Sequence, residues 1–378
     1  MAGQQSADFL DNMAIVIDPG SAYTKAGFSG EEHPRTVVRS TAGLPAYTPG
    51  ESSRLGAFRG NRGPGTTTTT PAPSPAPACD SLLGDWDALE SLWGALLQDE
   101  LGVCPQDHAI LVSDCPLAPP VQRARLAELL FEGLGVPALY VSHAPLLSLY
   151  SYGLVTGLQV DAGASGTRVC PVYSGYCLPH AARGQPLGGA AFFAYLQQLL
   201  EQRGPGGGVS ERRATLREAQ SHSCYVAQDF ERELQTGSEV TEYRLPDGTT
   251  VALGNERFRS AELLFCPSLA GEPHPGVHIL ALSSVRDSAP QWQNQLLAHV
   301  ALSGGTSLLP GFPERLQLEL ERLAPRGSRV IVHSAAHRHL AAWVGGAIMA
   351  SLRSVQPLWV TSADYQEHGP DTVLQHCY

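Results

Sequence analysis

Two stretches of this chain share one plan, and any fold must accommodate both. Ile15-Val16-Ile17-Asp18-Pro19-Gly20-Ser21 and Leu158-Gln159-Val160-Asp161-Ala162-Gly163-Ala164 each read as a strand, an Asp, one residue and a Gly. Each then returns as a second strand, through Thr24-Lys25-Ala26-Gly27-Phe28 and Thr167-Arg168-Val169-Cys170-Pro171-Val172. A glycine in such a turn lets backbone N–H groups approach phosphate oxygens without a Cβ in the way, and an Asp at a strand end can hold a magnesium ion through its waters. Two such hairpins facing one another would grip a polyphosphate from both sides. A lone Asp-x-Gly is more often an ordinary turn, so the signal lies in the repetition. A third glycine turn, Ser303-Gly304-Gly305-Thr306, follows the apolar segment LLAHVAL, read as a strand, and completes a nucleotide cradle.

Charge narrows the partner classes. With 25 basic and 36 acidic side chains the net charge is −11, too acidic for a nucleic-acid binder. Only one of the basic residues is a lysine, Lys25, and it falls inside the first hairpin. The start, MAGQQSADFLDNM, shows no basic region followed by an apolar stretch, and the weakly polar run 341–350 is about half of a membrane span. These features read as a soluble, intracellular protein with no membrane span. The eight cysteines (79, 104, 115, 170, 177, 224, 266, 377) form no C-x-x-C and are expected as free thiols. His333, His337 and His339 have metal-compatible spacing but no Cys or carboxylate close in sequence, which favours a surface or helix-start reading over zinc.

The pattern is otherwise ordinary α/β. AIVID (14–18), AILVS (109–113), LQVD (158–161) and RVIVHS (329–334) read as strands. Helical faces are predicted at Trp86, Leu89, Trp93 and Leu97; at Leu126, Leu129 and Leu130 with a stop at Gly133; and at Phe192, Leu196, Leu199 and Leu200 before Gly204. Two more follow, at Leu316, Leu320 and Leu323 between Pro313 and Pro325, and at Leu340, Trp343, Ala347 and Ile348. All of these apolar positions are expected in a core. From Thr41 to Cys79 the composition shifts: seven Pro, six Gly, the run Thr66 to Thr70 and almost no large apolar residue predict an extended, mobile loop.

Over nearly the whole chain outside 41–79, the sequence resembles the actin and actin-related protein family. The matching stretches are DPGSAYTKAGFSGEEHPR (18–35), YVSHAPLLSLYSYGLVTGLQVDAG (140–163), YCLPHA (176–181), CYVAQDFERE (224–233), LPDG (245–248), GNERFR (254–259), ALSGGTSLLPGFPERLQLEL (301–320) and WVGGAIMASL (343–352). The resemblance is to a divergent actin-like protein, of a kind often confined to male germ cells. It implies an α/β, two-lobed actin-like fold with duplicated α/β cores, shared with chaperone ATPases and sugar kinases, around a central nucleotide cleft. The first lobe would comprise 1–151 and 341–378, with 41–79 replacing the second subdomain. The second would comprise 152–340, divided into 152–187 with 273–340, and 188–272.

Carried over one residue at a time, the resemblance implies ATP and Mg2+ as cofactors, with weakened binding. Gly20, Ser21 and Lys25 match the first phosphate loop, Asp161 and Gly163 the second, and Gly304, Gly305 and Thr306 the third turn, with Arg217 at the base side. Asp18 and Asp161 match the metal positions. Other family groups are replaced. Ala144 stands where the family has a Gln that contacts the attacking water, and Arg168 where it has a His that helps orient it. Ala164 and Ser165 replace an Asp and a Gly, Gln220 and Ser221 a Lys and a Glu, Leu309 an aromatic, and His339 a Lys. Arg168 could pair with phosphate, or with a carboxylate or solvent at the cleft rim.

With two water-orienting side chains gone, hydrolysis should be slow, because it depends chiefly on placing the water and stabilising charge. No catalytic residue is assigned. Residues 41–79 resemble neither the family's inserted loop nor its base, which implies a protein that is monomeric when pure. The expectation is a non-polymerising cytoskeletal or scaffolding protein of the cytoplasm, partnered by cytoskeletal or actin-binding proteins and possibly actin. The alternative is an ATP-hydrolysing subunit that co-assembles with conventional actin.

Overall fold

The computed structural model describes residues 13–40, 86–203, 213–244 and 250–377; the 41–79 segment, the start of the chain and LPDG (245–248) lie outside the described residues. Strands form where branched apolar residues run between turn formers, and the first is β1, Ile15–Pro19. It pairs antiparallel with β2 (Tyr23–Phe28), which pairs with β3 (Thr36–Arg39). On its other side β1 runs parallel to β4 (Ile110–Asp114), and β4 to β5 (Ala138–His143).

The second half repeats this arrangement. The strand β6 (Gly157–Ala162) pairs antiparallel with β7 (Thr167–Tyr173), which carries β8 (Tyr176–Cys177) and β9 (Arg183–Gln185) on its far side. A separate ribbon of β10 (Thr241–Arg244) and β11 (Thr250–Leu253) follows. Parallel to β6 runs β12 (Val300–Ser303), and beside it β13 (Val332–His333). The order β3-β2-β1-β4-β5 therefore corresponds strand for strand to β8-β7-β6-β12-β13, and β14 (Val360–Thr361) closes the first sheet against β5. The two-lobed α/β fold with duplicated cores is present, with one large apolar cluster on each sheet.

Helices cover the sheets. The first half holds α1 (Trp86–Ala95), α2 (Pro120–Glu128) and α3 (Ala144–Ser151). The second holds α4 (Gly189–Gln202), α5 (Arg213–Ser223), α6 (Phe230–Thr236), α7 (Glu256–Glu262), α8 (Val277–Arg286), α9 (Pro290–Leu297) and α10 (Phe312–Leu323). The chain then returns to the first lobe in α11 (Ala341–Ser351). The contact of α11 with α3 depends on glycine: a Cβ on Gly345 would stand 1.7 Å from the Leu147 carbonyl oxygen. Trp343 locks the same helix to the sheet, its Nε1 donating to the Val16 carbonyl at 3.0 Å.

Several local expectations change. LLAHVAL is not one strand, because Leu296 and Leu297 end α9 and only Val300 onward joins the sheet. RVIVHS contributes just Val332 and His333 to β13. The helix expected to stop at Gly133 does end there, after a wider last turn, and the left-handed glycine follows at Gly135 (φ 69°). Ile348 and Leu323, expected in a core, are both 41% exposed. The cysteines among the described residues form no disulfide with one another.

Candidate functional site

The two Asp-x-Gly turns meet across the cleft. Ser165, in the second turn, donates its backbone N–H to Ser21 Oγ of the first at 3.3 Å. Gly20 is required at its position, since a Cβ there would lie 2.8 Å from the Tyr23 carbonyl oxygen and 3.3 Å from Lys25 Nζ. Gly304 is required twice over, by a φ of +85° and by the Ala162 carbonyl oxygen 2.3 Å from where its Cβ would sit. Thr306 Oγ1 donates to the Gly163 carbonyl at 2.8 Å and so ties the third turn to the second. These turns surround a cavity of about 630 Å³.

Each strand-end aspartate is held in the same way. Asp18 accepts from Lys25 Nζ (2.7 Å) of the antiparallel neighbour β2 and from Ser113 Oγ (2.5 Å) of the parallel neighbour β4. Asp161 has Arg168 Nη1 at 3.7 Å on β7 and accepts from Ser303 Oγ (2.9 Å) on β12. In each hairpin the acid and the base are directly opposite in register. Arg168 thus has a carboxylate, Asp161, as a partner at the cleft. Burial pushes the Asp161 carboxyl above its ordinary range, opposed by Arg168, by the Ser303 hydroxyl and by Lys25.

All ten positions expected to bind a cofactor or metal line the cavity: Asp18, Gly20, Ser21, Lys25, Asp161, Gly163, Arg217, Gly304, Gly305 and Thr306. So do Ala144, Arg168, Gln220 and His339. The Arg217 guanidinium lies over the Phe193 ring at 4.9 Å, which leaves its cationic edge near the cleft. Leu309 is packed into the second core, and its neighbour Leu308, 38% exposed, is the residue at the cavity wall. His333 stacks on His299, with their ring nitrogens 3.4 Å apart, away from His337 and His339.

Sequence reading missed Ser113, because its partner Asp18 is 95 residues away and only the β1–β4 pairing joins them. It also missed a polar group under the cleft floor. Arg123 donates from Nε to Asp114 Oδ2 (2.5 Å) and from Nη1 to the Cys377 carbonyl (3.1 Å), and its Nη2 lies 2.9 Å from His143 Nδ1. Burial, reinforced by the Arg123 charge, lowers the His143 pKa to about 4.

The cavity is chemically suited to a nucleoside triphosphate with a divalent ion. Two carboxylates face it from paired hairpins, an ammonium is held against one of them, and four buried polar atoms of described residues that line it have no protein partner: Gln122 Oε1, Gln159 Oε1, Gln220 Nε2 and His339 Nδ1. Buried polar groups are nearly always hydrogen-bonded, so such atoms fit a site that a polar ligand or water completes.

A duplicated α/β sheet with Asp-x-Gly hairpins facing across a cleft defines the actin class of two-lobed proteins. The chain belongs to that family: the actin family profile matches residues 9–206 and 208–378. It is similar to actin-like protein 7B of Macaca fascicularis, 36% identical over 369 residues, covering 96% of this chain and 88% of the relative. It is also similar to actin-like protein 9 of Bos taurus and of Homo sapiens, each 37% identical and each covering 97% of this chain and 88% of the relative.

Proposed function

We propose that this actin-family protein is a cytoskeletal or scaffolding component that binds Mg·ATP in its cleft, weakly and with slow turnover, and that does not polymerise alone. The observation that supports it best is the paired geometry of Asp18 with Lys25 and Asp161 with Arg168 around one cavity. A bound Mg·ATP would supply a polarised terminal phosphate. Asp18 and Asp161 would hold the ion through its waters, and Lys25 would set a compact charge against the phosphates. The backbone N–H groups of the glycine turns would cradle them. Turnover is slow because Ala144 offers no polar group at the cleft wall and because the Arg168 charge is directed at Asp161. Affinity is lowered on the base side, where Gln220 and His339 replace the family's lysines. The absence of polymerisation is read from 41–79, whose composition offers neither the family's insertion loop nor its base.

Calorimetry of the purified protein with Mg·ATP, beside Lys25→Ala, tests the binding claim. Wild-type binding weaker than that of actin by about one to three decades, abolished in the variant, is expected. No wild-type binding at millimolar nucleotide, or equal binding by the variant, would reduce the phosphate loops to structural turns. Light scattering under salt and magnesium conditions that polymerise actin should stay flat, and a rise above a critical concentration would overturn the monomer claim.

A further inference from the structure

Gln159 is a primary amide in an otherwise apolar place. It is 2% exposed, on β6, with Leu158 and Val160 on either side in the second core. Its side chain shares the sheet face of Asp161, two residues on, and its in-register neighbours are Cys170 on β7 and Ala301 on β12. Both neighbours are small, and the residue lines the nucleotide-sized cavity beside Ala144 and Ser148 of α3.

Hydrogen bonding fixes which end of the amide is engaged by the protein and which is not. The Ser303 hydroxyl gives its proton to Asp161 Oδ1, so only lone pairs remain on Ser303 Oγ for a second neighbour. Gln159 Nε2 donates to that oxygen at 2.5 Å. Oε1 is therefore the unengaged end of the amide, and it is buried with no hydrogen-bond partner. A buried amide oxygen without a donor is disfavoured, whereas a water molecule in a polar, roomy cavity satisfies it. Ser148 and Asp161 line the same cavity and could share that water.

We propose that Gln159 is the water-positioning residue of this cleft: its Oε1 accepts a hydrogen bond from a water held between β6 and α3, next to Asp161. The relay from Gln159 through Ser303 to Asp161 couples the placement of this water to the carboxylate at the strand end. The hydrolytic consequence rests on the nucleotide reading proposed above; the water site itself does not. In hydrolysis the water oxygen forms a bond to the terminal phosphorus while the bridging P–O bond breaks, its electron pair leaving with the diphosphate. One water proton passes to a phosphate oxygen, giving ADP and inorganic phosphate. Gln159 stays neutral throughout, orienting the water without acting as its base.

The test uses the full chain and Gln159→Met, which keeps the volume and removes both polar atoms. A high-resolution crystal structure of the unliganded wild type should show an ordered water within hydrogen-bond distance of Oε1, and the variant should lack it. Single-turnover hydrolysis of Mg·ATP should fall at least tenfold in the variant, with the Mg·ATP dissociation constant from calorimetry unchanged within threefold. A dry Oε1, equal rates in the two proteins, or a wild-type rate no faster than the uncatalysed one would each overturn the proposal. If calorimetry detects no nucleotide binding to either protein, the nucleotide reading and the hydrolytic role fall together. The water at Oε1 is still decided by the unliganded structures.

Discussion

Arg168 stands opposite Asp161 across the β6–β7 hairpin, its Nη1 3.7 Å from Oδ2, at the same hairpin position from which Lys25 reaches Asp18 in the first lobe. Both cleft hairpins thus carry an acid and a basic side chain side by side. A cation next to a carboxylate opposes a second cation arriving there. Arg168→Gln is therefore expected to tighten binding of Mg2+ alone at least threefold by calorimetry. Unchanged or weaker Mg2+ binding would overturn this, and weaker Mg·ATP binding in the variant would show that the guanidinium grips phosphate.

Ala144 opens α3 at the cavity wall. A longer polar side chain there would add a second hydrogen-bonding group for a water in the cleft, and water placement governs phosphate hydrolysis. Ala144→Gln should raise single-turnover hydrolysis about tenfold. An unchanged rate, with nucleotide binding intact, would mean that turnover is limited by something other than the water.

His143 gives a pH dependence of stability. Its pKa is lowered to about 4 by burial and by Arg123, from 6.5. Below pH 6.5 the unfolded chain takes up a proton that the folded ring refuses until about pH 4, so this group's contribution is flat above 6.5 and is lost as pH falls through that window. Between pH 6.5 and 5 the loss is about 2 kcal/mol. Denaturant unfolding at pH 7.5 and pH 5 should show the wild type losing that much more than His143→Gln, which keeps a hydrogen-bonding partner for Arg123. Equal losses in the two proteins would place the effect elsewhere.

Gly345 permits α11 to lie against α3, with no room for a Cβ beside the Leu147 carbonyl. Gly345→Ala should destabilise by about 2–3 kcal/mol, the scale of an overpacked core contact. Gly94→Ala in α1, where the nearest atom to a new Cβ is 3.9 Å away, serves as the control and should be neutral or stabilising. Urea midpoints for the two variants decide it, and similar midpoints would show that the two helices can separate without loss.

Sequence alone was enough for features whose causes are local. The two hairpins follow from Asp-x-Gly turns between β-forming runs, α10 from Pro313 at its start and Pro325 beyond its end, and Lys25 from being the single lysine in a phosphate-loop pattern. Each of these depends on turn chemistry or periodicity within a few residues. Tertiary structure decided the features whose causes are distant. Ser113 reaches Asp18 only because β4 pairs with β1, and Ser303 can orient Gln159 only because β12 pairs with β6. Leu308 and Leu309 are identical side chains, and which one faces the cleft is set by the short turn after Gly304. Ile348 belongs to a helix that is apolar nearly all round, so periodicity could not say which side would find a partner. Burial and hydrogen bonding are properties of what packs against a residue, and the chain specifies those neighbours only once both lobes have folded around the cleft.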